Sequence, residues 1–294
     1  MDTKMKNKIF SPIGYCIVLT LLYALSVIPM RILYKISDFT CYIICEIIRY
    51  RRQVVVQNIA RAFPDKKYDE IQIIEQNFYR NFADMFVEII KSISISPLQQ
   101  NKKLEVQGFE FVKDQIEQGN NVVACLGHCA NWEMLNCLPS KIGVDVYTAY
   151  KPLKASIFNQ LMLRIRSRFG MHLITSASIA KHILSNKGKS SLFLLIADQC
   201  PPQQNSGLKM DFLHQTTAIY SGPEKLAKAT SSAVVYINLT KTQRGHFVAE
   251  CLPICENAKD VQSVEITRRY VELLEQNIQQ DASCWLWSHK RWKK

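Results

Sequence analysis

Glycine and proline are scarce, at 10 residues each in a chain of 294. That excludes a collagen-like or low-complexity polymer, and no internal repeat or long Gly/Ser linker divides the chain. Acidic residues are few as well: 25 Asp and Glu stand against 37 Lys and Arg, a formal net charge of +12 with a pI near 9.2. That surplus favours an anionic partner, whether nucleic acid, anionic lipid head groups, a phosphorylated substrate or an acidic carrier protein. Cys-x-x-Cys is absent although there are 10 cysteines. The pairs Cys41/Cys45, Cys125/Cys129 and Cys251/Cys255 lack the His/Cys partners of a zinc site, so no metal is expected. Several cysteines sit in apolar runs as small hydrophobes, and a reducing compartment is the simpler reading. A mean hydropathy of −0.06 excludes a polytopic membrane protein but leaves room for one anchor. What is abundant is apolar residue, 48% of the chain, enough to bury a core without staples.

The one long apolar run covers residues 9–30, without a charge. Lys4, Lys6 and Lys8 precede it; Arg31, Lys35, Arg49, Arg51 and Arg52 follow. About 20 apolar residues cross a bilayer core as a helix, so an uncleaved membrane anchor is expected here. A signal peptide or a buried core helix are the alternatives. A more amphipathic stretch follows at 32–50. The heavier basic flank is C-terminal, so the positive-inside rule puts the body in the cytoplasm; a helix that dips into the membrane and returns is the other topology.

Residues 69–93 carry apolar side chains three or four apart, from Ile71 to Ile93, and predict a packed helix. From about residue 104 short apolar runs (122–126, 144–149, 191–197, 233–239, 246–252) alternate with helical stretches (155–169, 176–185, 223–230, 264–278). This alternation predicts an α/β sheet, mixed or partly parallel, flanked by helices.

The sharpest segment runs through Gly127, His128, Cys129, Ala130, Asn131, Trp132 and Glu133. A strand ends at Leu126, Gly127 turns the chain, and a helix is expected to start near Asn131. His128 then stands at the carboxyl end of a strand, where open α/β sheets bind ligands. From that turn it can fold back toward Glu133, and a carboxylate on one imidazole nitrogen leaves the other free as a base. A satisfied turn histidine beside a surface glutamate is the alternative. Asp198 and Gln199 also end a buried run, before Cys200, Pro201 and Pro202, and can face the same crevice; an aspartate capping its own turn is the plainer option. Arg164, Arg166 and Arg168 are two apart and cannot share one helical face, so a phosphate clamp needs one or two of them turned inward.

These residues resemble a known family. Gly127-His128 through Trp132-Glu133 is similar to the His-x4-Asp/Glu acyltransferase motif. Arg51-Arg52 with Gln57-Asn58 and Ala62-Phe63-Pro64, then Tyr150-Lys151-Pro152, Arg166 to Gly170, Asp198-Gln199 and Trp285 to Trp292 resemble further motifs, in the same order, of the late-acting acyltransferases of lipid A biosynthesis and their glycolipid-acylating relatives. Ala130 stands for a usual Gly, Lys151 for a usual Arg, and the stretch after Gln199 departs from the Gly-rich pattern.

The resemblance implies a glycerolipid acyltransferase-like α/β fold, with an anchor and amphipathic segment over residues 1–50 and an acyltransferase domain over 51–294. It implies transfer of a fatty acyl chain from acyl-carrier protein or acyl-CoA to a hydroxyl of an anionic glycolipid at the inner membrane, without cofactor or nucleic acid. His128 would be general base and Glu133 its orienting partner, and Arg166, Lys151, Asp198, Gln199, Arg164 and Arg168 would contact substrate. Backbone N–H groups near 131 would meet the oxyanion. Cys129 is the alternative nucleophile. A lysophospholipid or aminolipid acceptor, or a non-enzymatic basic binding protein, are the other readings.

Overall fold

The computed structural model describes residues 12–153, 155–185, 189–201 and 208–292. Lys4, Lys6 and Lys8, the first three residues of the apolar run, residues 202–207, and Lys293 and Lys294 lie outside the described residues. In chain order the strands are β1 (Leu104–Gln107), β2 (Val122–Leu126), β3 (Val146–Tyr150), β4 (His172–Thr175), β5 (Leu192–Ile196), β6 (Leu208–Phe212), β7 (Gln215–Ile219), β8 (Ala233–Gln243) and β9 (His246–Cys255). Seven form one sheet in the order β1-β9-β8-β2-β5-β3-β4; β6 and β7 pair as a separate hairpin. Within the large sheet β8 and β9 are antiparallel and every other pairing is parallel, so the sheet is mixed as expected.

β2 is buried at every position. A strand apolar on both faces belongs at the centre of a sheet covered on both sides. Alternate residues point to opposite faces. Val123 and Cys125 join Phe193, Leu195, Val234 and Tyr236 in one core. Val122, Ala124 and Leu126 join Leu192, Leu194 and Val235 in the other. The first core is closed by α3 (Arg52–Ala62), α4 (Tyr68–Lys91), α9 (Ile179–Ser185), α10 (Gly222–Thr230) and α11 (Glu265–Gln280). The second is closed by α6 (Glu110–Glu117), α7 (Leu138–Ile142) and the 3₁₀ turn Trp132–Cys137 before it. Two further helices are α5 (Pro97–Asn101) and α8 (Ser156–Ser167). The predicted stripe of 69–93 is α4, whose Ile74, Phe78 and Met85 are buried.

The N-terminal apolar run departs from the expected single span. α1 (Pro12–Val27) stops short, Pro29 opens α2 (Met30–Tyr42), and the two are bent by 114°. Proline lacks the N–H that would continue the first helix, which is why the break falls there. At 1.5 Å per residue α1 is about 24 Å long, against roughly 30 Å of bilayer hydrocarbon. No single described helix is long and apolar enough to cross a membrane; α1 and α2 together meet that test by length and composition. Both pack on α4. Ser37 donates to Asp84 at 2.7 Å, and Arg244 bridges Asp84 and Asp38, so α2 is riveted to α4. Ile17, Leu21, Val27, Ile32 and Phe39 remain exposed.

Candidate active site

β2 and β5 run side by side with Leu126 opposite Ile196. Two residues beyond that register, His128 and Asp198 meet. Asp198 Oδ1 is 2.6 Å from His128 Nδ1. Its Oδ2 accepts from the His128 backbone N–H at 2.9 Å and from Trp285 Nε1 at 2.7 Å. Burial alone would raise the Asp198 pKa, but the neighbouring His128 charge and these hydrogen bonds outweigh it and hold the carboxyl below its ordinary range. A carboxylate accepts only, so Nδ1 carries a proton, and whenever the imidazole is neutral Nε2 is the nitrogen with the lone pair. The His128 side chain keeps 17% of its surface, so the imidazole is not sealed from solvent. Trp132 stands edge-on to the imidazole at 4.7 Å between ring centroids. A Cβ at Gly127 would lie 2.4 Å from Leu274 Cδ1, so the Leu274 side chain would have to shift to admit one.

The carboxylate on His128 is thus Asp198, not Glu133, and this corrects the reading of the motif as a closed dyad. Glu133 faces α8 instead, where Arg166 holds it with two parallel hydrogen bonds, Nε to Oε2 at 2.8 Å and Nη2 to Oε1. The reason is local. The segment after His128 is a 3₁₀ turn rather than an α-helix, and Ala130 enters it in the left-handed region at φ 50°, where a glycine is at ease. Asn131 caps the turn, its Oδ1 accepting from Glu133 N at 3.2 Å, while its Nδ2 donates to buried Glu88 of α4 at 2.6 Å. The N–H groups of Glu133 and Met134 are both taken by Asn131, so neither is available to an oxyanion.

The two arginines of α8 and Arg168 at its C-terminal end diverge as their spacing requires. Arg166 turns inward onto Glu133, and Arg164 is exposed. Arg168 donates to the carbonyls of Ser92 and Ile95 at 2.7 and 2.6 Å and lies over Phe169. Two of the three therefore hold the protein's own groups, Arg166 the Glu133 carboxylate and Arg168 two carbonyls. Lys151 is exposed and Gln199 half-buried beside Asp198.

Residues 284–291 also frame the site. Trp285 and Trp287 are buried, as is Arg291, which donates to Thr217 and Ala218 of β7, so this segment is part of the core. Leu286 N donates to the His128 carbonyl at 3.1 Å, and Ala130 N to that of Cys284 at 2.8 Å. α3 grips the other side. Asn58 Nδ2 donates to the carbonyls of Trp287 and His289 at 2.8 and 2.9 Å, and Arg51 Nη1 to that of Ser288 at 2.9 Å. Arg51 and Asn58 were legible only as parts of a familiar pattern; a side chain that holds a distant carbonyl leaves no periodicity to read.

Cys129, beside the histidine, is buried under Trp285. Burial and the adjoining Cys284 thiol push its pKa well above the thiol range, so it is not a thiolate near neutrality. Cys129→Ala is expected to keep most of its acyl transfer in a steady-state assay. A dead variant, or an acyl group trapped on Cys129, would show that the nucleophile is the sulfur.

With this geometry in hand, the chain was compared with known proteins. A family model described as "Bacterial lipid A biosynthesis acyltransferase" matches residues 3–294. Among solved structures the chain is similar to that of the 1-acyl-sn-glycerophosphate (LPA) acyltransferase PlsC from Thermotoga maritima. The identity is 11%, over 87% of this chain and 99% of that one, with a TM-score of 0.38. No curated protein matches.

Proposed function

Because the chain belongs to the family of bacterial lipid A biosynthesis acyltransferases, we propose that this O-acyltransferase moves a fatty acyl chain from a thioester to a hydroxyl of a lipid A precursor or related glycolipid. The thioester is that of acyl-carrier protein or acyl-CoA, and transfer is direct. The observation that carries this reading is the imidazole of His128, partly exposed and held at Nδ1 by a buried carboxylate.

A hydroxyl is a poor nucleophile at neutral pH. His128 Nε2 takes its proton as the oxygen attacks the thioester carbonyl. The tetrahedral intermediate then collapses, the carbon–sulfur bond breaks, and the imidazolium returns the proton to the departing thiolate. An ester and a free thiol result, and the base is restored. Asp198 keeps the imidazole in the useful tautomer and offsets its transient positive charge. Positioned base catalysis of this kind is worth about 10²–10⁴-fold. Glu133 and Arg166 act one step back, pinning the catalytic turn to α8. Arg164, Lys151 and Gln199 remain the residues for direct substrate contact.

The acceptor is a lipid, and the exposed apolar side chains of α1 and α2 suit a membrane surface. We place the protein at the inner membrane, with residues 1–50 as its attachment and the catalytic domain in the cytoplasm. Lipid mass spectrometry of cells with and without the gene tests the whole reading. One acyl chain is expected to be missing from the glycolipid and to return with wild type but not with His128→Ala. Loss of a chain from phospholipid or aminolipid instead would move the acceptor to that class, and an unchanged lipid profile would remove the assignment.

A further inference from the structure

α2 runs into a π-helical turn, Ile43–Ile47, and α3 begins at Arg52. The link between them and the first turns of α3 form a depression of about 880 Å³, lined by Arg49, Arg51, Arg52, Gln53, Gln57 and Lys290 among others. Four of those six are cations. Arg52 is neutralised by buried Glu75 at 2.8 Å. Arg49, Arg51 and Lys290 have no carboxylate partner among the ion pairs of the described residues. Arg51 is held by the Ser288 carbonyl and by stacking over Tyr50, contacts that orient its guanidinium without cancelling its charge. Three cations thus converge uncompensated on one hollow. Arg49 and Arg51 both sit at φ 52°, in the left-handed region that favours glycine. Arginine stands at both positions nonetheless.

Two neighbourhoods identify the ligand. Immediately before the arginines, Ile47 and Ile48 are 65% and 62% exposed, with Tyr42 and Tyr50 beside them. Apolar side chains open to solvent next to guanidinium groups match the layering of a membrane surface, acyl chains below and phosphates above. On its other side the hollow borders the segment of Lys290, Ser288 and Leu286, whose backbone reaches the His128 turn. His289, in that segment, lies within electrostatic range of Arg51 on one side and of His128 and Asp198 on the other.

We propose that this depression binds a lipid-borne phosphate, presented at the membrane surface beside the catalytic histidine. The proposal rests on the acyltransferase reading for its substrate but has its own readout. Two sources share the chemistry: a phosphate of the glycolipid acceptor, or that of an anionic membrane phospholipid. Arginine supplies paired donors to phosphate oxygens in either case.

The test compares wild type, Arg49→Gln/Lys290→Gln, and Arg61→Gln, an exposed arginine of α3 outside the hollow. One arm measures KM for a phosphorylated glucosamine-disaccharide lipid in detergent, before and after phosphatase treatment. The other measures co-sedimentation with phosphatidylcholine vesicles, with and without phosphatidylglycerol. If the acceptor supplies the phosphate, the double variant raises KM roughly tenfold or more, the scale of a lost charged hydrogen bond. The dephosphorylated lipid then gives one KM for both proteins. If membrane phospholipid supplies it, KM is unmoved and binding to phosphatidylglycerol vesicles falls by a similar factor. A double variant that behaves as Arg61→Gln in both arms overturns the proposal. Wild type that acylates no lipid would sink the acyltransferase reading instead, and the vesicle arm would still decide this site.

Discussion

Asp198→Asn is expected to lower kcat by about 10²- to 10⁴-fold with the fold intact, because it reverses the imidazole rather than removing it. Oδ2 accepts two hydrogen bonds, from His128 N and Trp285 Nε1, so the single oxygen of asparagine is held there. Its amide then faces His128 Nδ1 and donates. Nδ1 becomes the acceptor, the proton moves to Nε2, and the base is lost where the hydroxyl arrives. His128→Ala loses at least about 10²-fold for the simpler reason that no base remains. Steady-state rates, with circular dichroism as the control, settle the ranking: Asp198→Asn should fall well below Glu133→Gln. The reverse order would return the orienting role to Glu133. Acid stability carries the same signature. The folded-state pKa of Asp198 is depressed, so its contribution is fully present above the ordinary carboxylate value and is lost as pH falls through the depressed one. Asp198→Asn should flatten that part of the acid-unfolding curve.

Arg166→Ala is expected to destabilise the fold through the loss of an ion pair. It leaves Glu133, with 9% of its side chain exposed, as a charge without its partner. Breaking a fully buried pair costs about 3–5 kcal/mol; the 28% exposure of Arg166 brings this to roughly 2–4 kcal/mol. For a chain of 294 residues that is a fall of roughly 3–7 °C in apparent melting temperature. Adding Glu133→Gln should recover part of the loss, because no lone charge then remains. Thermal melts of both single variants and the double variant give the coupling. Additive losses would mean that the pair contributes nothing beyond its separate side chains.

Much of the architecture could be read from apolar spacing. The runs at 122–126, 191–197, 233–239 and 246–252 are β2, β5, β8 and β9, and the stripe from Ile71 to Ile93 is α4 with its following turn. β1, β4, β6 and β7 escaped because they are short and partly exposed, so no continuous apolar run marks them. That His128 and Asp198 both end buried strands was also legible. Their contact was not. It depends on Leu126 standing opposite Ile196, a register set by crossovers through other elements rather than by neighbours in the chain. Glu133 was the nearer carboxylate in sequence, and an α-helix was assumed where Asn131 and Ala130 impose a 3₁₀ turn that points it at Arg166. The broken N-terminal run had a visible cause in Pro29, but composition alone does not say whether a proline near the end of a run trims a helix or folds it back.

The segment from Cys284 to Arg291 completes the catalytic site although it follows every strand of the sheet. Trp285 supplies one of the bonds that keep Asp198 ionised, and Leu286 and Cys284 frame the His128 turn from outside the sheet. Its hold comes from α3, which captures the carbonyls of Trp287, Ser288 and His289 through Asn58 and Arg51, residues 229 to 237 positions away in the chain. A finished sheet with this segment undocked would hold both His128 and Asp198 without the bonds that frame them, so competence for acyl transfer depends on a long-range docking contact as well as on the sheet.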